Sequence, residues 1–87
     1  MKIEIRKPSK EEAKEARSWG IWEKEVSEFP WEYDENESCL ILDGKAEVTT
    51  ASGEKVEFGK GDLVVFPVGL KCTWKITEPI KKYYKFG

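Results

Sequence analysis

The residues in this chain best suited to chemistry fall in two stretches. Trp31 and Tyr33 stand two apart just ahead of Glu37 and Cys39, and Cys72, Trp74 and Ile76 alternate with Thr73 and Lys75. Positions two apart on an extended strand project to the same side. Each set therefore presents its side chains together, with Thr73 and Lys75 turned away. A carboxylate among tryptophans suits general acid or base work, or the anchoring of a ligand. A thiol attacks only as the thiolate, and the chain holds no histidine to stabilise one. Lys71, one residue from Cys72, belongs to the opposite face. Indole faces suit stacking on a sugar ring or another planar ligand. Each group also has a plainer role: Cys72 as a small buried hydrophobe, Glu37 as a carboxylate hydrogen-bonded to Tyr33 or a backbone amide, Trp19 and Trp22 as packing or a subunit contact.

The elements that must position these groups are mostly strands. Lys2 to Arg6 alternates, with Ile3 and Ile5 on one side, and Pro8 ends the run. Ser9 with Glu12 three positions later is a capping-box signature. Helix formers follow up to Arg17, with only Ala13 and Ala16 apolar, so a short helix on the surface is predicted. Further strands are predicted over residues 21–26, 29–33, 37–42, 45–50, 54–58, 63–66, 72–76 and 80–86. The four apolar residues from Cys39 to Leu42 imply burial on both faces of their strand. Asp43-Gly44 reads as a two-residue hairpin turn, Gly59 to Asp62 as a tight corner, and Pro67-Val68-Gly69 as a bend. Pro79 breaks the last two strands apart, and Lys81 to Lys85 reads as a solvated edge strand guarded by lysine. About nine short strands with glycine turns make a small all-β sandwich or barrel, in one domain over residues 1–87.

Composition narrows the class. With 39% hydrophobic residues, eleven of the side chains aromatic, a packed core is favoured over disorder. Fifteen basic and 17 acidic residues are interspersed, for a net charge of −2. No basic face is left for nucleic acid or an anionic membrane. No apolar run nears the ~18 residues that cross a bilayer, and no signal-peptide pattern opens the chain. Cytoplasm is the expected location. Two cysteines are too few for a disulfide framework and read as reduced, buried thiols. Glu and Lys dominate, Gln is absent and Asn occurs once, a bias shared with thermophile proteomes.

Two segments carry a resemblance. Glu37 is followed by six residues and Gly44, and Gly61 by five residues and Pro67-Val68-Gly69, with sixteen residues between Gly44 and Gly61. This framework resembles the two motifs of the cupin superfamily. Trp19-Gly20-Ile21-Trp22-Glu23, Phe29-Pro30-Trp31-Glu32-Tyr33 and the Lys71–Trp74 segment are similar to the short single-domain cupins grouped with ureidoglycine aminohydrolase and the ethanolamine-utilisation cupins. The resemblance covers residue 19 to the C-terminus. It implies an antiparallel, jelly-roll-like β-barrel over residues 19–87 with one short N-terminal helix, pairing as a homodimer and holding a ligand at the barrel mouth.

The resemblance also implies that Glu37 faces the barrel interior. That places Trp31, Tyr33, Glu37, Cys72 and Trp74 together as the ligand-binding set, with Glu37 the candidate catalytic residue. The family's first-motif histidines fall on Trp31 and Tyr33, and its second-motif histidine and asparagine on Cys72 and Ile76. The usual metal ligands are therefore absent, and no cofactor is expected. A divalent metal, if held, would use Glu37, Cys72 and Tyr33, a mixed hard and soft set. The aminohydrolase carries metal-binding histidines at positions where this chain departs, so its reaction is not implied. Three functions stay open: binding a small polar organic metabolite, with Glu37 as acid, base or anchor; a non-catalytic structural module that dimerises; and an atypical metalloenzyme.

Overall fold

A computed structural model describes residues 2–87. Seven strands and one helix follow in order: β1 (Glu4–Arg6), α1 (Lys10–Ala16), β2 (Gly20–Lys24), β3 (Ser27–Glu32), β4 (Glu37–Thr50), β5 (Lys55–Gly59), β6 (Leu63–Phe66) and β7 (Lys71–Phe86). All strand pairs are antiparallel. The all-β class and the single short helix agree with the sequence.

Two long strands carry the architecture. β4 and β7 pair along most of their lengths, from Glu37↔Phe86 to Thr50↔Cys72. The first half of β4 also pairs with β6, whose other edge takes β1, while the second half of β7 takes β2. The second half of β4 pairs with β5 and the first half of β7 with β3. Between the halves the β4–β7 register shifts repeatedly from Ile41 to Ala46. A bulge of this kind bends the strand and increases its twist, so the sheet folds across itself. Phe66 of one half and Trp74 of the other then approach to 5.6 Å between ring centroids. The hydrogen-bonded path runs β1-β6-β4-β7-β2 and does not close into a ring.

The expected Asp43-Gly44 hairpin is not a turn. Gly44 has φ +86° inside a continuous β4, where it forms the bend. A Cβ on Gly44 would run into the carbonyl of Pro79, so this approach of β4 to β7 needs glycine for space as well as conformation. Pro79 likewise does not end a strand: it lies opposite the bulge, where regular ladder pairing is interrupted. Nine expected strands thus become seven.

The inner faces of the two halves form one core that includes Cys39, Ile41, Val48, Phe66, Trp74 and Ile76. Outside it, α1 is started by Ser9, whose hydroxyl accepts from the Glu12 N–H while the Glu12 carboxylate accepts from the Ser9 N–H. Its fully buried Ala16 packs on Leu40 and Leu63, with Trp19 and Tyr83 beside them. The four-residue apolar run in β4 serves both layers, Cys39 and Ile41 inward and Leu40 under the helix. No helix among the described residues is long and apolar enough to cross a membrane.

Candidate functional site

The alternation of β7 sets up the site. Ile80, Lys82, Tyr84 and Phe86 occupy one face, and on the other Tyr83 packs against the helix layer. Lys82 is consequently buried, alone among the lysines of the described residues. In register it lies opposite Ile41 of β4 and Trp22 of β2. Glu37, at the start of β4, is buried too, paired with Phe66 and Phe86.

These two charges meet. Lys82 Nζ donates to Glu37 Oε2 at 2.7 Å and to Cys39 Sγ at 3.3 Å, and the Cys39 thiol donates to the same Glu37 oxygen at 2.8 Å. The ammonium also lies 4.8 Å from the Trp22 ring centre and 4.9 Å from that of Trp74. Burial of an ion pair costs several kcal/mol per ion unless hydrogen bonds and opposite charge compensate. Here a carboxylate, a thiol and two indole faces, each attractive to a cation, do so. The other carboxylate oxygen, Oε1, accepts from no group among the described residues. No fully buried side-chain nitrogen or oxygen among the described residues lacks a partner, so Oε1 is open to the adjoining pocket.

That pocket measures about 210 Å³. Glu37 and Lys82 line it, with walls from Trp22, Phe29, Trp31, Tyr33 and Trp74 and, further along β7, Tyr84 and Phe86. Phe29 stacks on Trp74 and Tyr33 on Phe66, both with interplanar angles of 8°. The Trp74 indole N–H donates to the Tyr33 hydroxyl at 3.0 Å, while the Tyr33 proton itself meets no acceptor among the described residues. Burial, and then the neighbouring Glu37 charge, push the Tyr33 phenol well above its ordinary value, so it stays a donor. Burial pushes the Cys39 thiol up as well, with Lys82 opposing and Glu37 adding to the effect. Trp31 is 49% exposed and Phe86 47%; they form the rim.

Of the five residues singled out in the sequence, Trp31, Tyr33, Glu37 and Trp74 surround this pocket. Cys72 does not. The pocket runs along β7 from Trp74 toward Phe86, and Cys72 lies beyond its other end, opposite Trp31 and Thr50 in register and within the core. Its thiol is pushed up to about 11 by burial. The thiol that does meet Glu37 is Cys39. Lys82, Trp22, Phe29, Tyr84 and Phe86 complete the site without having been expected there. Reading Lys81 to Lys85 as a solvated edge concealed Lys82, because β7 is paired on both sides. Alternation from Ile80 is the signal that finds it: the strand's inward positions contain a single charge.

The EutQ-like cupin domain profile matches residues 11–84. The chain belongs to the EutQ-like cupin family. A DUF861 family protein from Thermotoga maritima is 55% identical, superimposes with a TM-score of 0.95, and is matched over 99% of this chain and 100% of that one. Clostridium difficile EutQ is 21% identical, with a TM-score of 0.71, over 97% of this chain and 66% of that one. A Salmonella typhimurium LT2 protein described as a putative ethanolamine utilization protein gives 20% identity and a TM-score of 0.70, over 97% of this chain and 68% of that one. The two latter similarities establish the fold. No curated protein matches the chain in sequence.

This cupin's residues do not fit the metal that its superfamily motif suggests. Glu37 Oε2 is already held by the Lys82 ammonium, so a divalent cation there would meet a like charge. Tyr33 and Cys72 are held protonated by burial, and Cys72 is outside the pocket. Among the described residues, no group of three or more Cys, Asp or Glu side chains is placed to hold a metal ion.

Proposed function

We propose that this cupin binds a small polar organic molecule in the aromatic pocket, with Glu37 as its anchor. The observation that carries the reading is the buried Glu37–Lys82 pair on the floor of an open, aromatic-walled cavity. Small-molecule sites combine apolar walls with a few fixed polar groups, and this pocket has that composition. Keeping a charge pair buried costs stability that an apolar pair of similar volume would not; a ligand that uses the free Oε1 gives the cost a purpose. In this reading Glu37 is also the group placed to take a proton from a bound ligand or return one.

A thermal-shift screen of small amides, amines, acids and sugars tests it. A ligand that binds the folded state raises Tm by mass action. Glu37→Gln should reduce that rise while leaving the fold intact by circular dichroism. Equal ligand-induced shifts in both proteins would contradict the proposal.

A second reading, self-association, is favoured by one observation. β2 ends the sheet path, and its Ile21 is 56% exposed, as suits a strand that pairs with a second copy. A monomer in sedimentation at 100 μM (~100 μM being ample for an obligate dimer) would refute it.

A further inference from the structure

The donor and acceptor groups left unused inside the pocket specify more than its size. Glu37 Oε2 is held by Lys82 and Cys39, whereas among the described residues nothing donates to Oε1, which opens into the cavity. The Tyr33 hydroxyl accepts from Trp74 and, among the described residues, donates to none. Lys82 is already engaged by the carboxylate and the Cys39 sulfur and lies against the rings of Trp22 and Trp74. The cavity thus offers a ligand one strong acceptor and one donor, between flat aromatic walls. Its fixed charges already cancel.

From these groups we infer that the pocket selects a neutral, planar ligand bearing a carboxamide-type edge, an N–H donor beside a carbonyl acceptor. The N–H is donated to Glu37 Oε1 and the carbonyl accepts from the Tyr33 hydroxyl, while the flat body lies against the aromatic wall. A carboxylate ligand has no donor for Oε1 and brings a second negative charge beside Glu37. An ammonium ligand satisfies Oε1 but competes with the Lys82 ammonium for one carboxylate, with the faces of Trp22 and Trp74 already taken. An apolar ring leaves Oε1 without a partner. Hydrogen bonds to a charged group separate such ligands by about tenfold or more.

The inference rests on the pocket being a binding site at all, so its test separates the two claims. Benzamide, benzoate, benzylammonium and toluene share one ring and differ in the group presented to the floor. Each is titrated into the intact protein at pH 7, with binding followed by tryptophan fluorescence and calorimetry. Benzamide should bind about tenfold more tightly than each of the other three. Tyr33→Phe should weaken benzamide by about fivefold while leaving toluene unchanged, because only the amide uses the hydroxyl. Tighter binding of benzoate or benzylammonium than of benzamide would overturn the amide preference and leave the binding site standing. Failure of all four to bind up to their solubility limits would overturn both claims. Should Tyr33→Phe not fold, owing to the Trp74 N–H it leaves unpaired, Glu37→Gln supplies the same comparison. Its amide can rotate to offer either a donor or an acceptor, so discrimination against benzoate should fall by about tenfold.

Discussion

Replacing Lys82 by methionine keeps most of the aliphatic stem between Trp22 and Trp74 and removes the ammonium. Glu37 would then remain as a buried carboxylate with the Cys39 thiol as its one direct donor. Breaking a buried ion pair by removing one partner costs about 3–5 kcal/mol, and two ammonium–indole contacts are lost with it. Access of pocket water to Oε1 moderates the loss, which places Lys82→Met near the lower end, about 3 kcal/mol. With a urea m-value of about 1 kcal/mol/M for so short a chain, the unfolding midpoint should drop by about 3 M. Trp22 and Trp74 flank the mutated side chain, so their fluorescence reports the transition directly. The decisive comparison is the double variant Glu37→Gln/Lys82→Met. With no charge left to strand, it should be more stable than Lys82→Met alone, giving a coupling of about 1–3 kcal/mol. A loss below about 1 kcal/mol for Lys82→Met, or additivity within about 0.5 kcal/mol, would show that the pair is solvated and refute the reasoning.

Two further outcomes are expected from the fold. Gly44→Ala should destabilise by at least about 2 kcal/mol, since a positive φ and a clash with the Pro79 carbonyl act together. Gly53→Ala shares the positive φ but meets open space, so it should cost less; equal unfolding midpoints for the two variants would contradict the close crossing at Gly44. The Cys72 thiol, raised in the folded state from 9.0 to about 11, holds its proton more tightly than it does in the unfolded chain. Stability from this group is therefore complete below about pH 9 and declines as pH rises toward 11. Cys72→Ala should flatten that part of the urea-midpoint profile, and an unchanged alkaline slope would show that Cys72 is not buried in this way.

The sequence carried the fold further than it carried the site. Strand alternation, the Ser9–Glu12 capping box and the glycine–proline framework from Glu37 to Gly69 are local signals, and local backbone chemistry realises them. Gly44 and Pro79 misled because the same residues that stop isolated strands also permit a bulge where two long strands cross. Only the pairing of β4 with β7 decides between the outcomes. The pocket lining was legible within short extended stretches, as for Trp31 with Tyr33, or Glu37 with Cys39. Lys82 was not, because whether a lysine-rich strand is an edge or lies between neighbours is set by strand order. Cys72 lies away from the pocket for a related reason. Facing inward is a property of alternation, whereas facing the cavity depends on where along the strand the cavity lies.

The four tryptophans provide the most direct measurement of the central claim. Trp22, Trp31 and Trp74 line the pocket, while Trp19 packs in the helix layer with Leu40 and Leu63. Their indole N–H resonances, assigned by single Trp→Phe substitutions, are to be followed during a benzamide titration by two-dimensional NMR. Saturable shifts at Trp22, Trp31 and Trp74 with Trp19 unmoved are the expected result. A response confined to Trp19, or four unchanged resonances at saturating benzamide, would contradict the assignment of the Glu37–Lys82 cavity as the place where this cupin holds its ligand.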